Sequence, residues 1–338
     1  MISEFQWPAL ENFILKSVVI DSKHLKNNPW NDPTVRHNPL LVPQTHIDNP
    51  SELLPLVVVL SGFGGNGPKY LADKGFEQNF VQQLDECVSQ RQGPEAFFLF
   101  VDAWTFWGGS QFINSKAMGR YEDYIVEELL PTVLNNLPID RTKVCVTGVS
   151  SGGYGALHLA SIYPEMFPYV AAMAPDSFFE SCYLGDVYTA IPSLVKHKGI
   201  AGVRSQHLQG KIHTRKEGFP TLNAICMALC YSPSGEHNAD FPIDIETGEL
   251  RESVWKKWKA HDPVEFLKER KTAVKQWTKC YLEVGTRDNF NLYFGARQIR
   301  DVLTKHGIDL QYQEFDGTHF DFNERRPELW AWLADEWR

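Results

Sequence analysis

A serine set between glycines is where the chemistry of this chain begins. Residues 148–152 read Gly-Val-Ser-Ser-Gly, the G-x-S-x-G pattern of a nucleophile elbow. Val144, Cys145, Val146 and Thr147 before it form a short β-branched, apolar run, as a buried parallel strand should. Ala156, Leu157, Leu159 and Ala160 after it form the apolar face of a helix that Pro164 ends. A serine at such a turn is held in a strained conformation at the strand's carboxyl end, clear of the sheet. Gly148 and Gly152 are needed because a Cβ there would strike neighbouring backbone. Ser150 is therefore the expected nucleophile. Three fixed positions make a weak pattern alone, and the bland alternative is an ordinary turn with a solvated serine. The flanking strand and helix, and the partners found later in the chain, favour the elbow.

A serine hydroxyl needs a base near neutral pH, and imidazole titrates in the right range. Where this elbow occurs on an open α/β sheet, the acid and then the histidine follow the serine in chain order. Of eleven histidines, only His306 and His319 lie beyond the late strand read at 279–284. His306 precedes Gly307, where a cationic side chain suits a helix C-terminus. His319 follows the strand read at 308–315 through Asp316-Gly317-Thr318, on a loop at a strand's carboxyl end, where sites of open α/β sheets form. His319 is the favoured base. Asp288 follows CYLEV through Gly285-Thr286-Arg287 and is the favoured acid to orient the imidazole. Asp176, just past the strand after the elbow, is the second choice. Asp316 reads as a turn residue, and Asp262, before Pro263, as a helix N-cap. A tetrahedral intermediate needs two backbone N–H donors. One is expected from Ser151 and one from Phe63 in the loop Ser61-Gly62-Phe63-Gly64-Gly65, with Gly62 or Gly64 as alternatives. A phosphate cradle is the competing reading of this loop, but the Gly-Lys-Ser/Thr ending and the G-x-G-x-x-G spacing are missing.

The elements that must position these residues read as strands alternating with helices. Strands are expected at 13–20, 36–42, 56–60, 96–101, 144–147, 169–174, 279–284 and 308–315. Helices are expected at 77–88, 120–134, after the elbow, at 263–270 and 296–306, and from Pro327 onward. This alternation predicts a mainly parallel central sheet with helices on both faces. Between about 178 and 260 the periodicity weakens, glycines and prolines scatter, and helices read as short. That stretch is expected to be a cap-like insertion, dividing the chain into 1–178, 179–261 and 262–338. Its FPIDIETGEL segment reads as β-like with a turn at Thr247-Gly248. Trp104 and Trp107 after one strand, and Phe178 after another, are the expected pocket aromatics. Tyr154 and His158, four apart on the elbow helix, read as structural.

Composition narrows the classes. The 338 residues are 43% hydrophobic and 22% charged, enough for a sizeable core and unlike a disordered chain. The net charge of −9 and the lack of a long basic run exclude a nucleic-acid patch; Lys256-Lys257 and Arg325-Arg326 are isolated pairs. No apolar run approaches the ~20 residues that span a bilayer. The opening MISEFQWPALENF lacks the pattern of a leader peptide. Of six cysteines only Cys226 and Cys230 are close, and with no second pair they read as core thiols rather than metal ligands. The expectation is a reduced, cytoplasmic protein with neither membrane nor nucleic acid as partner. Self-association is left open.

Five segments carry a family resemblance. LPLVVVLSGFGG, RYEDYIVEELLPTV, VTGVSSGGYGAL, EVGTRDNF and FDGTHF resemble the strand and oxyanion loop, the helix before the elbow, the elbow, and the acid and histidine loops of the putative esterase family of α/β-hydrolases. The resemblance runs from about residue 33 to the C-terminus. It implies the α/β-hydrolase fold and a triad of Ser150, Asp288 and His319, the same set reached from chain order. It implies hydrolysis of a small-molecule carboxylic ester through an acyl-enzyme, with no metal or organic cofactor. The alternatives are an acyltransferase with the same triad, a serine peptidase, and a non-catalytic binding protein on this fold. The long segment after Asp176 departs from the pattern and leaves the substrate open.

Overall fold

The computed structural model describes residues 9–73, 75–212 and 214–338. Residues 1–8, part of the stretch read against a leader peptide, lie outside the described residues. The chain opens with β1 (Phe13–Asp21) and β2 (Val35–Pro43), which pair antiparallel along their full length. β3 (Leu54–Leu60) is buried from Leu56 onward, as a strand covered on both faces must be. Helix α1 (Phe80–Ser89) follows, then the fully buried β4 (Phe97–Phe100). Helix α2 runs as Tyr121–Asp123, a π-type stretch Tyr124–Leu129 and a final Leu130–Asn136. Pro131 has no N–H to give to the preceding turn, and wider turns accommodate it. β5 (Ile139–Val149) leads into α3 (Ser151–Ile162), and β6 (Tyr169–Met173) follows.

Beyond β6 lie α4 (Leu184–Lys196), α5 (Ile200–Leu208), α6 (Gly218–Tyr231) and α7 (Glu252–Lys259). The short helices expected here are corrected in two cases. α4 has 13 residues and α6 has 14. α6 is buried on nearly every side, so its sequence shows no amphipathic period. The β-like FPIDIETGEL reduces to a single bridge, Ile243 to Leu250, around Gly248 at φ 76°. Helix α8 (Pro263–Glu269), strand β7 (Lys279–Gly285), helix α9 (Leu292–His306), strand β8 (Leu310–Phe315) and helix α10 (Phe322–Trp337) complete the chain.

The sheet order is β1-β2-β4-β3-β5-β6-β7-β8. The six strands from β4 to β8 run parallel, and β1 and β2 are antiparallel at one edge. The parallel strands therefore deliver β3, β5, β6, β7 and β8 to one rim at their carboxyl ends. Three helix starts differ from expectation by three residues or more. α1 starts at Phe80 because Asn79 and Gln82 close a reciprocal capping box. α9 starts four residues before the expected Ala296. α10 starts at Phe322 and tolerates Pro327 inside it. Asp262 caps α8 as expected, accepting from Val264 N at 2.9 Å, and also from Phe178 N and Phe179 N. All six cysteines are free and buried.

Candidate active site

The turn between β5 and α3 holds Ser150 at φ 61°, ψ −126°, a region that side chains rarely adopt. The glycines explain how the chain gets through. A Cβ on Gly148 would lie 2.6 Å from Leu60 O, and one on Gly152 2.3 Å from the same oxygen. Ser150 N donates to Met173 O at 3.0 Å, which ties the elbow to the end of β6.

Asp288 and His319 are joined. The imidazole Nδ1 lies 2.7 Å from Asp288 Oδ2. The other carboxylate oxygen accepts from Phe290 N at 2.8 Å and from Leu292 N at 3.3 Å, so the loop's own amides fix its orientation. His319 N donates to Asn289 Oδ1 at 3.2 Å, and Phe290 packs edge-on against the ring. With Nδ1 held by a carboxylate, Nε2 is the nitrogen left to exchange a proton. His306, the rejected base, instead meets Leu267 O with its Nε2.

The Ser150 hydroxyl donates to Asp176 Oδ1 at 3.0 Å. Asp176, the second choice for acid, thus meets the serine rather than the histidine. Its Oδ2 accepts from Ser151 Oγ at 2.6 Å, from Tyr183 OH at 2.7 Å and from Gln111 Nε2 at 3.4 Å. Burial, together with the charge of Asp176, pushes the Tyr183 phenol well up, so it remains a donor. Gln111 also donates to the hydroxyls of Tyr183 and Tyr231, linking the elbow to α6.

In the expected oxyanion loop, Gly64 N donates to Gly108 O at 2.8 Å and Gly65 N to Gly62 O at 3.0 Å. That removes Gly64 as a donor and leaves Phe63 and Gly62 as the choices on this side. A Cβ on Gly108 would come within 3.0 Å of the Phe63 ring, so the two loops are closely packed.

Ser150 and His319 share the wall of an open cleft of about 580 Å³. Its apolar lining comes from Phe63, Phe80, Phe219, Phe290, Phe320 and Phe322, and Lys69 and Arg326 lie farther along. Next to it, sharing Ser150 and the Phe63, Phe219 and Phe290 rings, is a small recess of about 30 Å³ bounded also by Ser151, Asp176, Tyr183 and Asn223. A larger depression of about 870 Å³, between residues 9–11 and α1, contains none of these groups.

The expected pocket aromatics are corrected. Trp104 is 40% exposed and lines neither space, and its carbonyl accepts from Arg36. Trp107 is buried against Trp30 and His207. Phe178 sits at φ 53° with its amide on Asp262. The rings that line the site are adjacent in sequence to the chemistry instead: Phe290 two residues past Asp288, and Phe320 next to His319. That adjacency was the available signal; Phe219 and Gln111 carried none. Tyr154 and His158 are structural as expected, stacked on each other, with His158 Nε2 2.8 Å from Glu122 Oε2. Among the described residues no cluster of His, Cys, Asp and Glu is arranged to hold a metal, and no helix is long and apolar enough to cross a membrane.

Three kinds of likeness to known proteins bear on this site. The family described as "Putative esterase" matches residues 36–333. An S-formylglutathione hydrolase of Mus musculus is 36% identical over 129 residues, covering 36% of this chain and 46% of that protein. Another from Paracoccus denitrificans (strain Pd 1222) is 46% identical over 56 residues, covering 17% and 20%. The matches thus span less than half the length of these curated relatives. Among solved structures, a ferulic acid esterase superposes with a TM-score of 0.61 at 16% identity, covering 96% of this chain and 99% of the other. At that identity the likeness concerns the fold.

Proposed function

This chain belongs to the putative esterase family of α/β-hydrolases, and from that premise we propose that it is a serine hydrolase of carboxylic esters using Ser150, Asp288 and His319. The observation that carries the reading is the 2.7 Å contact from His319 Nδ1 to Asp288, in the same cleft as a serine held in elbow geometry.

In this reading an ester enters the 580 Å³ cleft and its carbonyl carbon settles beside Ser150. The serine hydroxyl leaves Asp176 and turns to His319 Nε2, which takes its proton as Oγ attacks. Asp288 stabilises the imidazolium and keeps its ring in place. The amides of Ser151 and Phe63 donate to the developing oxyanion. Collapse breaks the bond to the leaving oxygen, which takes the proton from His319. Water then repeats the sequence on the acyl-enzyme. The resting contact of Ser150 with Asp176 requires a side-chain rotation first, and catalytic hydrogen bonds of this kind commonly tighten only when substrate is bound.

The segment 179–261 we read as a cap over this site, because Tyr183 and Asn223 reach the small cavity from it. The test is turnover of short-chain and aryl p-nitrophenyl esters, with a fluorophosphonate label mapped by mass spectrometry. Label on Ser150, and a fall in turnover of about a thousandfold or more in Ser150→Ala, is the expected result. Label on another serine, or unchanged turnover in the variant, removes Ser150 from the mechanism. An acyltransferase would divert product to an added acceptor alcohol in the same assay.

A further inference from the structure

Asp176 has no place in the mechanism above, yet it is the side chain that meets the nucleophile. Its carboxylate is only 6% exposed. Oδ2 accepts from Ser151, Tyr183 and Gln111, whereas among the described residues the side-chain donor to Oδ1 is Ser150. Formation of an acyl-enzyme removes that donor. The Oγ–H bond breaks and its proton goes to His319, the Oγ–carbonyl bond forms, and the leaving oxygen departs with the proton. The serine has by then turned to His319, and its acylated Oγ carries no hydrogen to return to the carboxylate oxygen it met at 3.0 Å. A buried acceptor left without a donor is costly, and here it is also charged.

A place for a replacement donor lies beside the serine. The cavity of about 30 Å³ beside Ser150 is bounded by Asp176 itself, Ser151, Tyr183 and Asn223. That volume holds roughly one or two heavy atoms, so it suits a short acyl arm. A donor on the carbon next to the carbonyl is three bonds from Oγ and lands in this space. Resting on the serine-hydrolase reading, we propose that Asp176 is a specificity residue that selects acyl groups bearing a hydrogen-bond donor, a hydroxyl or an ammonium, on the carbon adjacent to the ester carbonyl. The leaving alcohol lies in the adjoining aromatic cleft. Each turnover thus exchanges the Ser150 hydroxyl for a substrate donor at Oδ1 and returns it on deacylation.

The experiment compares methyl esters of glycolic acid, glycine, propionic acid and fluoroacetic acid, with each kcat/KM divided by the ester's hydroxide-catalysed rate to remove intrinsic reactivity. Propionate and fluoroacetate match the donors in size and lack the donor hydrogen. The expected result is a normalised advantage of about tenfold or more for glycolate or glycinate over both controls, the scale of one unsatisfied buried acceptor. The better of the two identifies hydroxyl or ammonium as the donor. In Asp176→Asn the advantage should shrink to about twofold or less; Asp176→Ser is the second replacement should the amide variant not fold. Equal normalised rates in the unmodified enzyme, or an advantage that survives the replacement, overturn the assignment while fluorophosphonate labelling of Ser150 still stands. A protein that hydrolyses none of these esters and whose Ser150 refuses the label overturns the serine-hydrolase reading, and this inference with it.

Discussion

At the scale of single residues, two carboxylates flank one serine and do different work. Asp288 is held by backbone amides on one oxygen and by His319 on the other. Asp176 faces the serine and three neutral donors on its other oxygen. Asp288→Asn keeps the shape but removes the charge that favours an imidazolium. Its kcat should fall by about a thousandfold or more while KM changes only a few-fold, measurable by steady-state kinetics on one aryl ester. The motif residues were legible because each is tied to local grammar: a glycine-flanked turn for Ser150, strand ends for Asp288 and His319. The contact of Ser150 with Asp176 was not legible. It depends on the Ser150 rotamer, on Gln111 at φ 51° and on Tyr183, which no spacing in the sequence connects. The pocket rings were misjudged for a related reason. Trp104 and Trp107 follow a strand that reaches the same rim, but Trp107 turns inward onto Trp30, and the loop after β4 reaches the site through Gly108 and Gly109 against Phe63 and through Gln111 on Asp176.

At the scale of elements, strand and helix order was readable wherever one face is buried and the other is wet. α9 shows this, ending at His306 with Gly307 at φ 77°. α6 was hidden because nearly all of its residues are buried, so no period distinguishes its faces. Helix starts slipped where side-chain caps decide them, as Asn79 does for α1. One pairing between elements stands out for stability. Glu283, in the middle of β7, has a fully buried carboxylate, and Arg325 of α10 donates to it at 2.6 Å while Tyr281 donates to the other oxygen at 2.9 Å. Burial pushes the Glu283 carboxyl up; Arg325 and Tyr281 pull it back. Arg325→Met leaves that charge without its cation, and a loss of about 3–5 kcal/mol in urea unfolding at neutral pH is expected. Because the His319 loop runs between β8 and α10, the variant should also lose activity before it unfolds, measured as turnover at sub-denaturing urea. A variant as stable as the parent would show that the pair adds nothing to the fold.

At the scale of the whole molecule, acid should weaken the fold through a largely enclosed imidazole. His261 stacks on Tyr231, and burial drives its pKa from 6.5 to about 4, with the charges of His158 and Arg270 adding to the effect. Its folded value lies below the unfolded one, so the stability it carries is complete above about pH 6.5 and is lost as the pH falls toward 4. The loss is of the order of 2–3 kcal/mol. Unfolding free energy measured between pH 7 and pH 4.5 should therefore decline less steeply in His261→Phe, which keeps a ring against Tyr231. Parallel slopes for the two proteins would rule His261 out as a contributor.

The six free thiols follow from the same enclosure. All are buried, and the one bordering the small cavity, Cys182, faces a space too tight for an aromatic disulfide reagent. Such a reagent would colour the native protein only as fast as the chain opens. The protein thus comes with a built-in clock for its own excursions out of the folded state, read in a spectrophotometer without any label having been engineered.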